Sequence, residues 1–172
     1  QLHDERTGIE LANPFLYGLR FDFKPHPYLE VGLSHLSMFG GPGRRDLSIG
    51  DVLKVLYSNT NPDPSEKLDS NAQVALDLAL TLPNVKKYIF IADALKLYTE
   101  WGAEDTGFPP DKRAYIGGLA LFKPFGLERA VLRGEYARMS PGSLPGAWYS
   151  HPTYPMRYNG RVFGHHAGND SD

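Results

Sequence analysis

The sequence predicts an all-β protein, an antiparallel up-and-down sheet of about seven strands. Three observations point there: apolar and polar residues alternate along most of the chain, short and long connections alternate between those segments, and aromatic residues gather near segment ends. Residues 71–85, NAQVALDLALTLPNV, show the alternation most plainly. Ala72, Val74, Leu76, Leu78, Leu80 and Leu82 take the even positions, and Gln73, Ala75, Asp77, Ala79 and Thr81 the odd ones. Leucine and alanine favour helices. At about 100° per residue, however, the large apolar side chains from Val74 to Leu82 would scatter around a helix axis, whereas a strand collects them on one face. Burial therefore overrides propensity. Either a protein core or lipid could cover the apolar face.

The other elements follow in order. FLYGLRFDF sets Phe15, Tyr17, Leu19, Phe21 and Phe23 against Gly18, Arg20 and Asp22, with Leu16 as the exception. YLEVGLSHL sets Leu29, Val31 and Leu33 against Glu30, Gly32 and Ser34. DLSIGDVLKVLY breaks the pattern: Ile49, Val52, Leu53 and Leu56 have helical spacing, which predicts a short helix inside a long connection. The SNTNPDPSEKLDSN that follows is rich in turn formers and reads as an exposed loop. Next comes the strand over 71–85. YIFIADALKLYTEW reads as a long strand, apolar on both faces at its start and then alternating, with Leu95, Leu97 and Trp101 against Lys96, Tyr98 and Glu100. RAYIGGLALF and LERAVLRGEYAR are weaker strands; in the second, Ala130, Leu132 and Tyr136 oppose Arg133 and Glu135. RVFGHH looks like the start of another.

KPHP, PNVK and KPFG are short links, and the connections near residues 36–70, 102–112 and 139–160 are long. An up-and-down sheet then carries its short turns on one edge and its long loops on the other. Transmembrane barrels have this asymmetry and also carry aromatic girdles; here Phe15, Phe23, Tyr88, Trp101, Tyr115, Phe122 and Tyr136 lie near strand ends. A polar face of mixed sign suits a water-filled lumen, and it also suits the exterior of a soluble sandwich. Periodicity leaves both open.

Bulk properties narrow the classes. The 172 residues suffice for one domain, and a formal charge of −2 gives no basic field for nucleic acid. The absence of cysteine excludes a disulfide framework and a thiolate metal site. No apolar run approaches the roughly 18 residues of a membrane helix, and a barrel would show none. The opening QLHDERTGIE does not have the form of a signal peptide, so the chain reads as mature or as cut from something longer.

The long loops hold the distinctive words. FKPHPYLEVGLSHLSMFGGPGR, AEDTG, EYARMSPG and WYSHPTYPMRYNGRVFGHHAGNDSD occur in this order. Together they resemble the Wzi family of capsule-assembly proteins of the Gram-negative outer membrane, over nearly the whole chain from about Tyr17 to Asp172. The resemblance implies an antiparallel up-and-down transmembrane β-barrel. Residues 1–172 would be an internal part of its single domain, without the flanking strands. Leu76, Leu78 and Leu80 would face lipid, and Gln73, Asp77 and Thr81 the interior. It also implies a non-enzymatic, lectin-like role at the cell surface that needs no cofactor. The partners would be capsular polysaccharide, outer-membrane lipid and the capsule export machinery.

Sugar recognition needs flat aromatic faces and polar forks. Trp148, Tyr149, His151, Tyr154, Arg157, Tyr158 and Arg161 supply both in one loop, and Arg44 and Arg45 could pair with acidic sugars. The bland alternative is that these aromatics pack the loop into the barrel mouth. Glu104 and Asp105 are adjacent carboxylates. Neighbours in a strand point to opposite faces, whereas a glycosidase pair faces across one bond, so they read as loop-organising groups. Glu100 and Glu135 could in principle pair across strands. His165, His166, Asp170 and Asp172, with His151 upstream, lack a plausible metal-ligand geometry. Two competing functions remain: a porin-like channel, and a soluble β-domain or glycan-active enzyme.

Overall fold

The computed structural model describes residues 2–3, 10–11, 13–42, 44, 46–57, 68–104, 112–139, 149, 151–158 and 161–164. A small ribbon, β1 (Leu2–His3) with β2 (Glu10–Leu11), precedes the main sheet. The sheet comprises β3 (Phe15–His26), β4 (Leu29–Phe39), β5 (Ser70–Leu82), β6 (Ala94–Glu104), β7 (Lys112–Phe122) and β8 (Val131–Arg138). Helix α1 (Ile49–Tyr57) lies between β4 and β5, and a second ribbon pairs β9 (Arg157–Tyr158) with β10 (Arg161–Val162). The six long strands follow one another as an antiparallel meander in the order β3-β4-β5-β6-β7-β8. The sheet is open: among the described residues, β3 and β8 each have one strand neighbour.

The register converts sequence alternation into two faces. Phe21, Leu33, Leu76, Trp101, Tyr115 and Arg138 form one continuous row across all six strands. Leu29, Leu80, Leu97 and Leu119 form another. On the opposite face run Asp22, Gly32, Asp77, Glu100 and Ile116, and beside them Glu30, Ala79, Tyr98, Gly118 and Glu135. Both runs cross the strands without a break, because a strand alternates its side chains with period two. Among the described residues little covers the middle of the apolar face, although Ser37 and Phe39 at its long-loop end are buried. Leu19 is 58% exposed, Phe21 59%, Leu33 48% and Trp101 48%. In a water-soluble sheet such rows would lie under a second layer.

The strands differ from the sequence expectation at their ends. YIFIA is not strand: Tyr88, Phe90 and Ile91 stand exposed in the turn between β5 and β6, after a 3-10 turn over Val85–Lys87. Four consecutive apolar residues suggest a strand, but Asn84, in the left-handed region at φ 56°, starts a compact turn there. That turn is closed by the Val85 amide, which donates to the Asp93 carbonyl at 3.0 Å. Tyr88 thus lies in the turn between the two strands rather than at a strand end. Phe122 lies on the polar side, in line with Ala120. The strand expected in RVFGHH is described only as the two residues of β10. β4 runs to Phe39 and β6 to Glu104, so each invades a predicted loop.

The helix forms where its spacing predicts. Its start is fixed reciprocally: the Asp51 amide donates to Ser48 Oγ at 3.2 Å, and the Ser48 amide donates to the Asp51 carboxylate at 2.9 Å. Val55 is buried, while Ile49 and Leu53, expected on the packed stripe, are exposed.

Among the described residues, a buried apolar cluster sits at the long-loop end of the polar face. There Met38 and Ala114 of the sheet and Met139, just past β8, meet Tyr149, Tyr154 and Met156 of the last loop, flanked by Leu36, Ile116 and Phe163. At that end the face combines this apolar cluster with the buried polar side chains of Asn71 and Glu104.

Candidate functional site

Two structures share this face: a charged trough and the loop docked above it. The trough, about 1070 Å³, is lined by Arg20, Asp22, Asp77, Tyr98, Arg133 and Glu135 among others. The Arg20 guanidinium donates to Asp22 at 2.7 Å, to Asp77 at 3.0 Å and to Ser34 at 2.9 Å, tying β3, β4 and β5 together. Lys24 pairs with Glu30 at 2.8 Å, and Lys96 approaches the same carboxylate at 3.9 Å. Further along, the Tyr98 hydroxyl donates to Glu135 at 2.7 Å and accepts from Arg133 Nε at 2.7 Å; Arg133 also donates to Glu135. These are half-exposed pairs and individually contribute little, roughly 0–1 kcal/mol. Their effect is to line the trough with alternating charge.

Both networks depend on a strand glycine. A Cβ on Gly32 would strike the Asp77 carboxylate and the Arg20 guanidinium, and one on Gly118 would strike the Tyr98 ring. Each glycine leaves a slot through which a long side chain crosses a whole strand. Gly117, on the other face, has nothing within 4 Å of such a Cβ. Gly118→Val is accordingly expected to cost about 1–3 kcal/mol by overpacking, while Gly117→Val stays within about 0.5 kcal/mol. Denaturant unfolding of the refolded protein reads both; equal effects of the two neighbours would contradict the register.

The loop is anchored by the ends of three strands. Glu104, 1% exposed at the end of β6, accepts the Tyr149 amide at 3.2 Å and the Gln73 side chain at 3.0 Å. Asn71, near the start of β5, donates to the Tyr154 carbonyl at 2.7 Å. The Tyr154 hydroxyl donates to the Gly40 carbonyl, just past β4, at 3.1 Å. His151 Nδ1 accepts the amides of Thr153 and Tyr154 at 3.1 and 3.0 Å, which leaves the ring proton on Nε2, 3.6 Å from Asp69. The His151 and Tyr154 rings stack at 6.0 Å, and the Arg44 guanidinium lies 5.9 Å over the Tyr154 ring on the same cluster.

Of the residues singled out for sugar contact, Tyr149, His151 and Tyr154 are thus buried, at 4%, 5% and 1% exposure, with their polar groups engaged inside the chain. Arg44 is half-buried against Tyr154. Arg157, Tyr158 and Arg161 belong to the β9–β10 ribbon by their backbone, and their side chains lie outside the described residues. Arg45, Asp105, Trp148, His165, His166, Asp170 and Asp172 also lie outside them. Glu100 and Glu135 share a face but sit in adjacent rows two strands apart, so the register does not set them opposite each other. Among the described residues, no three carboxylate or imidazole groups are placed to hold a metal ion. Sequence reasoning missed Asn71, Asp69 and Gly40. Polar residues at a loop-to-strand boundary carry no local signal for a partner more than 80 residues away, as Asn71 has in Tyr154.

No helix among the described residues is long and apolar enough to cross a membrane, which leaves a β-barrel crossing untouched. No curated protein and no solved structure matches the chain. The family model of the capsule assembly protein Wzi matches residues 1–172, the whole length, so the uncovered leucine wall, the charged trough and the docked loop are features of a chain that belongs to the Wzi capsule-assembly family.

Proposed function

We propose that this protein sits in the outer membrane and binds or organises capsular polysaccharide at the cell surface without catalysis. Its six strands would form one arc of a barrel whose remaining strands pair with the open edges of β3 and β8, because unpaired edges in lipid would leave backbone groups without partners. Family membership supplies the capsule setting. The observation that carries the rest is the docked loop. Tyr149 and residues 151–156 pack on the long-loop end of the polar face, which favours a surface platform over an open channel. The carboxylates support a non-enzymatic reading: Glu104 is committed to the loop, and Glu135 to Tyr98 and Arg133.

Polysaccharide contact is assigned to Arg44, Arg45, Trp148, Arg157, Tyr158 and Arg161, with the buried Tyr149, His151 and Tyr154 as their support and Glu104 and Asp105 as loop-organising carboxylates. The export machinery would deliver the polymer to this surface.

The test is binding of purified capsular polysaccharide to the full-length protein, alongside single-channel conductance in planar bilayers. Saturable binding that Arg44→Ala with Arg45→Ala weakens about tenfold or more, together with little conductance, is the expected result. A large open pore with no polysaccharide binding would favour the channel reading. Turnover of the polymer that Glu104→Gln abolished would favour the enzyme.

A further inference from the structure

We propose that His151 is an acid-released latch for the docked loop: the loop lies down only while the imidazole carries a single proton. The ring is 5% exposed, and its Nδ1 accepts the Thr153 amide at 3.1 Å and the Tyr154 amide at 3.0 Å. A nitrogen that accepts two N–H groups holds no proton of its own. The ring proton therefore stands on Nε2, the side that faces Asp69 at 3.6 Å. The two bonds turn the chain back over the ring, so that Tyr154 stacks on it at 6.0 Å and reaches the Gly40 carbonyl. Tyr154 and Met156 then enter the buried cluster with Met38 and Met139.

A second proton has to go on Nδ1. There it would point at two N–H donors, and both amides would lose their acceptor among side chains closed to solvent, Thr153 at 0% and Tyr154 at 1% exposure. The charged groups on the cluster divide. Asp69, from the segment before β5, attracts a cation through Nε2. Arg44, 5.9 Å over the Tyr154 ring, repels one. Glu104, at the end of β6, accepts the Tyr149 amide and the Gln73 side chain. The ends of β4, β7 and β8 bring the apolar Met38, Ala114 and Met139. Asp69 faces the nitrogen that is protonated already, so it supplies no acceptor to a proton on Nδ1. Released into water, an imidazole takes its second proton near about pH 6.5. The docked loop excludes that proton and the released loop binds it. Docking is therefore complete above about pH 6.5 and weakens about tenfold for each unit below it. The latch is a property of the loop and does not depend on which polymer or lipid the protein meets.

Hydrogen exchange of the full-length protein in detergent tests this, with each rate corrected for the intrinsic pH dependence of exchange. Protection of the Thr153 and Tyr154 amides is expected to fall about thirtyfold between about pH 7.5 and about pH 5. It should return on neutralisation, and the amides of β4 to β7 should stay protected throughout. His151→Asn keeps an acceptor at the same point of the turn and has no proton to take up, so its protection should stay level across that range. His151→Ala should be poorly protected at both ends of it. Wild-type protection that stays level, or that rises in acid because Asp69 captures the imidazolium, overturns the latch. So does an acid loss that His151→Asn shares, or one in which the strands exchange together with the loop. Imidazole nitrogen NMR shifts of wild type provide a second check that needs no variant to fold. They are expected to show a bare Nδ1 at neutral pH, and a protonated Nδ1 there overturns the proposal.

Discussion

Tyr154→Ala is expected to release the docked loop, at a cost of about 3–5 kcal/mol for a fully buried aromatic. Tyr154 is 1% exposed; it stacks on His151, lies under Arg44 and donates to the Gly40 carbonyl. The truncation leaves that carbonyl unpaired and opens a cavity between Met38, Met139 and Met156. Tyr154→Phe keeps the packing and loses one hydrogen bond, about 1 kcal/mol. Limited proteolysis of the folded protein distinguishes them: cleavage near residues 149–156 should rise steeply for the alanine variant and little for phenylalanine. Asn71→Ala should expose the same sites, because it removes the donor to the Tyr154 carbonyl from the other side of the cluster. A loop that stayed protected in all three would mean that the anchoring bonds do not hold it. If release of the loop also raised conductance, the loop would be the element that closes the mouth.

Leu78→Arg is expected to destabilise the membrane-inserted protein by about 2–4 kcal/mol, whereas Ala79→Arg should stay within about 1 kcal/mol. The two positions are consecutive in β5 and point to opposite faces. Leu78 shares a row with Val31 and Thr99 on the bare wall, so a guanidinium there would sit in hydrocarbon. Ala79 stands opposite Glu30 and Tyr98 in the trough, where a cation finds a carboxylate. Guanidinium titration of protein folded into vesicles measures both. Similar costs at the two sites would place both faces in one environment, and the barrel reading would fail.

The two experiments probe different levels of the molecule. The arginine pair tests which solvent each face meets, and therefore the whole architecture. The tyrosine series tests how one loop is held on that architecture. Neither outcome depends on the identity of the polysaccharide.

The sequence by itself determined the strands and their two faces. Period-two alternation is a local property, and in Leu76, Leu78 and Leu80 against Asp77 it is strong enough to override helix propensity. Alternation of short and long connections made the meander legible, because an antiparallel neighbour needs no crossover. Local pattern failed where apolar residues do not mark a strand. Tyr88, Ile89, Phe90 and Ile91 read as strand and form a turn, since Asn84 and the Val85–Asp93 bond reverse the chain first. Tertiary structure alone decided the fate of the last loop. Nothing near His151 or Tyr154 indicates that their partners are Asp69, Asn71 and Gly40, in or beside strands far earlier in the chain. The aromatic residues read from composition as sugar platforms include three that the fold turns inward, because an apolar patch at one end of the sheet buries whatever ring can reach it.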